Sequence, residues 1–469
     1  MYQLDPALFR IDTTTANSYA HVLSEHGLLQ FGHSKGDPGR PQLKVAASAL
    51  DPLGLPVTTA VVPGNSADDP LYIPQIQQVH ASFGPGGKTF VGDCKMAALG
   101  TRAYLVSTGD FYLCPLSEKQ MSQPERRQRL EPVWQGQQEL QPVYRPAASP
   151  EDKPELIAEG FGFDVALQAE VDGKPVQWTE RRWLVRSVAF AQSQEQKLHK
   201  RLEAATQELS QRAQHKQGKK RLDAPGLLAA ATEVLARHRV VGLLQIEVQT
   251  QSRERKVRGY RGKPARVEVE QQLHLEVQRN EGAITQTQRE MGWQVYAVNQ
   301  LEWPLLGVVL AYRGQYHIEG SWSRLKGKPL SLEPMHLKNE ERMAGLVLLL
   351  LLAVRVLTLL EWQVREQLRQ KEERLKGIYP GQPGRQSSRP SAEMLLQAFK
   401  GVSLTVIEVA GQRSVHRTPL TALQEKLLAL WDFPTAIFQR LTTWDLTAEL
   451  AQRLSALHCS EPPPALSER

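Results

Sequence analysis

Eleven consecutive residues, Ala344 to Val354, read A-G-L-V-L-L-L-L-L-A-V and carry no polar side chain. A run of this kind has to be taken out of water, and that demand limits the fold more than any other stretch of the chain. It is too short for a bilayer, which needs about 20 apolar residues, and Arg355 ends it. Glu340, Glu341 and Arg342 flank one end and Glu361 the other. The spacing predicts a long buried helix over 337–368, with a transmembrane helix as the lesser alternative. A buried helix needs a core, and 469 residues at 41% apolar content supply enough material for one. A chain of this length holds about three domains.

The net charge is +7 and the pI about 9.2. This basic bias is compatible with a polyanionic partner without singling one out. Cys94, Cys114 and Cys459 are far apart and form no Cys/His metal pattern. They point to a reducing compartment and away from a zinc site or a disulfide scaffold. Met1 leads directly into Leu4-Asp5-Pro6 with no basic start or apolar run, so no signal peptide is expected and the reading is cytoplasmic.

Tyr312 to Lys326 (Y-R-G-Q-Y-H-I-E-G-S-W-S-R-L-K) reads as one amphipathic helix. Tyr312, Tyr316, Glu319, Ser323 and Lys326 share a face at three- and four-residue steps. Ile318, Trp322 and Leu325 form a neighbouring apolar stripe that would anchor the helix. An acid on the same face as a lysine suits phosphodiester chemistry, the acid for a metal and the cation for phosphate. The plainer reading is an ordinary surface helix.

Upstream, residues 8–11 read as a strand leading into Asp12-Thr13-Thr14-Thr15, a metal-ligand position or a turn. Residues 43–50 and 55–62 read as a hairpin around Asp51-Pro52-Leu53-Gly54. A helix follows over 71–83, then a strand over 88–92 that delivers Asp93, a helix over 96–106 and a strand over 110–116. Asp93 reads equally well as a helix N-cap. Strand, hairpin, helix, strand, helix, strand is the order of an RNase H-like fold, a mixed sheet flanked by helices.

These segments resemble bacterial insertion-sequence transposases of the DDE class, in the insertion-sequence-four-like branch. That branch carries Tyr-x-x-Arg-x-x-x-Glu-x-x-x-x-x-x-Lys around its third acid. Tyr312, Glu319 and Lys326 fall on that pattern, while Gln315 stands at the arginine position and Arg313 lies two residues earlier. D-T-T-T at Asp12 and V-G-D-C-K-M at Asp93 are similar to the first and second acids of the group, and G-H-S-K-G-D and P-G-N-S-A-D are typical of the stretch between them. The fold class implied is α/β: an RNase H-like catalytic core interrupted by a large, mainly β insertion, plus a small C-terminal domain. The core would comprise 1–116 and 301–378, the insertion 117–300, a linker 379–390, the small domain 391–457 and a tail 458–469.

The insertion opens with a polar stretch over 117–154. Its clearest strand is 176–185, and 192–217 reads as a charged helix. The basic run 216–221 is read first as a solvated face. A helix over 227–238 follows. Strands over 243–250 and 266–277 flank a basic turn at 253–258, and 292–299 closes the insertion. Trp293 is the candidate for stacking on a flipped base, as in some relatives, with a core tryptophan as the alternative. Beyond the linker, segments at 404–409, 420–431 and 446–457 read as regular structure.

The resemblance implies that Asp12, Asp93 and Glu319 hold two Mg²⁺ or Mn²⁺ ions and cleave and join DNA strands at element ends. Three converging carboxylates need such cations, which prefer oxygen ligands. Tyr312, Gln315, Lys326, Arg324, Arg313 and Trp293 are the expected DNA contacts. The implied partners are double-stranded DNA, both element ends and target, and a second copy in an active homodimer, with no membrane. Such enzymes carry a helical DNA-binding region before the first acid, whereas eleven residues precede Asp12 here. That reads as a truncated or split frame, so an inactive DNA-binding or dimerising regulator stands as the alternative. An RNase H-like nuclease or resolvase is the second.

Overall fold

The computed structural model describes residues 4–22, 24–33, 36–146, 154–213, 223–257, 266–409 and 412–438. The chain begins with β1 (Leu8–Asn17), β2 (Gln42–Leu50), β3 (Leu55–Pro63), α1 (Tyr72–Phe83), β4 (Thr89–Val91), α2 (Leu99–Ser107) and β5 (Phe111–Pro115). Next come α3 (Gln123–Trp134), β6 (Gln141–Tyr144), β7 (Leu156–Val171), β8 (Lys174–Ser187), α4 (Val188–Ala213) and α5 (Ala224–Arg237). They are followed by β9 (Leu244–Val257), β10 (Arg266–Arg279), α6 (Glu281–Arg289), β11 (Trp293–Val298), α7 (Leu305–Arg313), α8 (Tyr316–Lys326) and α9 (Glu340–Gln370). The described chain closes with β12 (Leu375–Lys376), β13 (Gln386–Ser387), α10 (Ala392–Gln397), β14 (Leu404–Val409), β15 (Gln412–Arg417) and α11 (Ala422–Leu430). This mixed α/β chain divides into two compact units, one of Met1–Leu8 with His80–Gln315 and the other of Phe9–Val79 with Tyr316–Arg469.

In the second unit, β1, β2 and β3 form an antiparallel meander in the order β3-β2-β1. Every residue of β2 is buried. Its alanines, Ala46, Ala47 and Ala49, leave room for helices to come close. On one face Leu43, Val45, Ala47 and Ala49 pack against Ile318, Trp322 and Leu325 of α8 and Met343, Val347, Leu351 and Val354 of α9. The expected apolar stripe of the signature helix is therefore the one that enters the core. β1 extends beyond the expected strand, so Asp12 and the three threonines lie within it rather than in a turn. Threonine is β-branched and packs well on a pleated surface, which favours the strand.

The β2–β3 turn fixes α8 against this sheet. Gly54 has φ +64°, and a Cβ there would strike the main-chain carbonyl of His317. The Ser321 hydroxyl donates to the Gly54 carbonyl at 2.6 Å. Only glycine permits both the left-handed backbone and so close an approach.

α9 is N-capped by Asn339, whose side chain accepts the Arg342 N–H at 2.9 Å. By length and composition alone it is apolar enough to cross a membrane. It is not the fully buried helix expected from the sequence. Met343, Val347, Leu351, Val354, Leu357 and Leu368 are buried, whereas Leu348, Leu349, Leu352 and Val356 are exposed. A helix lying on one sheet buries one stripe, and the continuous apolar run hid which one. Further along, Val364 and Leu368 share a core with Leu375, Ile378, Leu395, Leu427, Leu428 and Trp431, so α10 and α11 pack on the C-terminal half of α9, while β14 is exposed along its length.

The first unit holds a six-stranded run in the order β4-β5-β11-β8-β7-β6, parallel between β4 and β5 and antiparallel elsewhere. Strands from 117–300 thus extend the sheet that β4 and β5 begin. The polar stretch over 117–154 contains α3, capped by Ser122, and β6. β9 and β10 form a separate ribbon, and α4, α5 and α6 gather Leu198, Leu202, Leu209, Val234, Leu235 and Ile284 into a core. Residues 253–257, expected in a basic turn, lie in β9; Arg258, the run 216–221 and the segment 446–457 fall outside the described residues. At the centre of the sheet the fully buried Glu180 pairs with Arg102 and Arg182 and accepts the Tyr112 hydroxyl at 2.7 Å. A buried carboxylate persists only when it is matched in this way.

Candidate active site

Asp12 lies on β1 opposite Ala47 of β2, which itself faces Thr59 of β3. Cross-strand partners project to the same face, so Asp12 points to the side that α8 and α9 cover. There the Trp322 indole N–H donates to Asp12 Oδ2 at 2.9 Å. Two further contacts pin α8 along the same strand pair. Lys326 Nζ donates to the Thr15 carbonyl at 3.4 Å. His317 Nδ1 lies 2.8 Å from Asp51 Oδ1, and Asp51 also takes the buried Arg10 guanidinium. Burial alone would raise the Asp51 carboxyl, but hydrogen bonds from His317 and Arg10 outweigh it and hold it below the ordinary value of 3.8.

Glu319 sits in the first turn of α8, three residues before Trp322. Side chains three apart on a helix are neighbours, with Cβ atoms about 5–6 Å apart. The residue that touches Asp12 is therefore adjacent to Glu319. The Glu319 side chain is exposed and has no hydrogen-bond or ion-pair partner among the described residues. The helix N-terminus favours its negative charge.

The single helix expected over Tyr312–Lys326 is in fact two. α7 ends at Arg313, the Gly314 N–H returns to the Leu310 carbonyl, and α8 starts at Tyr316. Tyr312 and Glu319 therefore do not share a helix face. Tyr312 packs against Tyr296 with ring centroids 4.6 Å apart. Arg313 donates to the Ile157 carbonyl at 2.9 Å. Gln315 Oε1 is buried without a partner among the described residues. Arg324 is tied to Glu361 and, at 2.9 Å, to Glu393.

Asp93 follows β4 in the first unit, and its Oδ1 accepts the Lys95 N–H at 2.8 Å. It closes a turn rather than capping α2, whose N-cap is Ala98. Burial pushes the Cys114 thiol far up, and the charges of Glu180 and Asp93 add to that against Arg102, so this cysteine is inert. Trp293 is 6% exposed within a core of Met121, Leu130, Phe161, Leu184 and Val295. Its indole N–H donates to the Arg289 carbonyl at 3.0 Å. With Trp134, Arg186 and Arg289 it lines a cavity of about 270 Å³.

The donors in the second unit suit a hard cation by their chemistry: Asp12 is a carboxylate oriented by Trp322, and Glu319 offers an exposed carboxylate. Within each unit, among the described residues, no group of three or more His, Cys, Asp and Glu side chains is gathered to hold a metal ion. Sequence periodicity missed the link from Trp322 to Asp12 and the Arg10–Asp51–His317 cluster. The one available sign was Trp322 itself, a hydrogen-bond donor three residues from the acid.

No protein-family model and no curated protein matches the sequence. Among solved structures, the chain is similar to a piggyBac transposase in the cryo-EM structure of its synaptic complex with hairpin DNA. The match has 8% identity and a TM-score of 0.35, and covers 98% of this chain and 59% of that one. This chain thus spans less than two thirds of that protein's length, and at that TM-score the two backbones agree only loosely.

Proposed function

We propose that the chain is a DNA transposase of the DDE class, built on an RNase H-like core, that cleaves and joins DNA strands at the ends of an insertion sequence. The observation that carries this reading is the seating of α8 on β1. Trp322 bonds Asp12 one turn after Glu319, and Lys326 reaches Thr15 one turn further on. Asp12 and Glu319, the first held by Trp322 and the second one turn before it on α8, are the first and third acids of the sequence signature. Asp93 is the second by sequence order.

Asp12, Asp93 and Glu319 are the residues that would hold Mg²⁺ or Mn²⁺, which when bound polarises the scissile phosphate and stabilises the attacking and leaving oxygens. Trp322 orients the Asp12 carboxylate, and Lys326 offers its remaining N–H donors to a DNA phosphate. Arg313, Arg324 and Trp293 are engaged inside their own units and hold structure there. Water attacks the phosphorus at an element end, and the bond to the 3′ oxygen breaks to leave a 3′-hydroxyl. That hydroxyl loses its proton and attacks a target phosphodiester. One P–O bond forms as one breaks, so the joining step needs no other energy source.

The test is strand cleavage and joining by the purified chain on a plasmid carrying its own element, with MgCl₂ or MnCl₂. Asp12→Asn, Asp93→Asn and Glu319→Gln should each lower both products by at least about a hundredfold, since even outer-shell partners of a metal site cost 10–100-fold. Nicking without joining would reassign the chain to the nucleases and resolvases. Binding of the ends with no cleavage by the unaltered chain would make it a regulator instead.

A further inference from the structure

Three strands of the first unit set Glu159, Arg186 and Trp293 in one row. Arg186 on β8 is the cross-strand partner of Glu159 on β7 and of Trp293 on β11. Such partners share a sheet face, and this row floors the cavity of about 270 Å³. Val133 and Trp134 at the end of α3 and Glu195 on α4 wall it, and α6 lines it with one face through Thr285, Gln288 and Arg289. Trp293 is 6% exposed and its N–H is spent on the Arg289 carbonyl, so too little of its ring is open for a base to stack on it.

The lining carries two unmatched charges of opposite sign. Arg186 is fully engaged: its Nε donates to the Met291 carbonyl at 3.3 Å, one amino group lies 3.3 Å from Glu159, and the other lies 3.6 Å from Glu195. Two carboxylates thus share one guanidinium, and neither has another ion-pair partner among the described residues, which leaves one negative charge over. Arg289 is exposed, and its guanidinium has no partner among the described residues, which leaves one positive charge over. Between them Val133, Trp134 and Leu140 are half-buried at the edge of the Trp293 core and give the cavity an apolar side.

We propose that this cavity binds a free amino acid with a large apolar side chain. Its carboxylate meets Arg289, its ammonium meets the surplus charge of Glu159 and Glu195, and its side chain lies on Val133, Trp134 and Leu140. A ligand with a single charge would leave the opposite surplus unmet, and a charge taken from water without a partner is costly. Sites for drug-sized molecules measure roughly 300–1,000 Å³, so a cavity just below that range suits a ligand this small. The inference lies wholly in the first unit and is independent of what Asp12 and Glu319 do, and its test requires no DNA substrate.

Isothermal titration calorimetry of the full chain with L-phenylalanine should show a single site with a dissociation constant below about 1 mM. 2-Phenylethylamine lacks the carboxylate and 3-phenylpropionate lacks the ammonium. Each should bind at least about tenfold more weakly, because hydrogen bonds between charged groups are the strong ones. Arg289→Ala should weaken L-phenylalanine by about the same factor and leave 2-phenylethylamine unchanged. Glu195→Gln should weaken both of those and leave 3-phenylpropionate unchanged. Should either variant unfold, the order of the three ligands on the unaltered chain still decides. No binding of L-phenylalanine, L-leucine or L-tryptophan at millimolar concentration would overturn the proposal. So would an amine that binds as tightly as the amino acid, or an affinity for L-phenylalanine that both variants leave intact. Saturable binding of an oligothymidylate that Arg289→Ala abolishes, with none of the amino acids bound, would assign the cavity to a nucleobase instead.

Discussion

Trp322 combines two tasks that a phenylalanine would separate. Its ring fills the core between β2 and α9, and its N–H holds the Asp12 carboxylate. Trp322→Phe keeps most of the packing and removes the donor. A hydrogen bond to a charged group is worth roughly 1.5–3 kcal/mol, so urea melts should show a loss of that order. If Asp12 takes part in cleavage, its rate should fall about tenfold or more, as for an outer-shell partner. An unchanged melt would show that the indole N–H gains nothing from Asp12 in solution. Asp51 gives a second test with a definite sign. Its folded carboxyl is held below 3.8 by His317 and Arg10. The stability it contributes is therefore present above the ordinary carboxylate value and lost as pH falls below it through the lower folded value. Asp51→Asn should melt earlier than wild type at neutral pH, and the gap should narrow in acid across that window. A gap independent of pH would mean the aspartate is not ionised in the pair.

At the scale of elements, the contact that positions α8 is the Gly54 turn. Gly54→Ala has to adopt a left-handed backbone and also meets the His317 carbonyl. Together these should cost roughly 2–4 kcal/mol, within the range for strained backbone sites. If the proposed cleavage holds, the readout that separates this from a general loss is its rate at a temperature where the variant stays folded, because a displaced α8 loses the Trp322 bond to Asp12. A Gly54→Ala variant as stable as wild type would contradict the close approach. How far the sequence foretold this arrangement depended on the signal available. β2, β3 and their turn were readable because strand-forming residues flank Asp51-Pro52-Leu53-Gly54, and Ile318, Trp322 and Leu325 were readable from their period. The break at Gly314 was not, since a glycine inside a helix costs only about 1 kcal/mol and periodicity runs straight through it. The extent of β1 was misjudged because threonine serves turns and strands alike. The open side of α9 was hidden because eleven apolar residues have no face to distinguish. A helical period tells which residues a helix buries, but not which polar atom Trp322 meets when it arrives.

For the whole molecule, 57 basic residues against 50 acidic ones leave a net charge of +7, a modest attraction for a polyanion. A duplex-binding chain releases counterions from the phosphates it neutralises, so log K against log salt should fall with a slope near −0.9 for each contact. Fluorescence anisotropy with a labelled duplex across a salt series measures that slope. Two neighbouring cations on α8 make the measurement specific to residues. Among the described residues Lys326 is held by a single long hydrogen bond to the Thr15 carbonyl, which leaves most of its charge for a phosphate. Lys326→Ala should therefore flatten the slope by about one unit and weaken all duplexes alike. Arg324 spends its guanidinium on Glu361 and Glu393. Arg324→Ala should leave the slope nearly unchanged and lower the melting temperature instead, since it strips two acids of their shared partner. The reverse outcome, a flattened slope for Arg324→Ala and none for Lys326→Ala, would put the nucleic acid on the other flank of α8, away from Asp12 and Glu319. A slope near zero for the unaltered chain would remove DNA as its partner altogether.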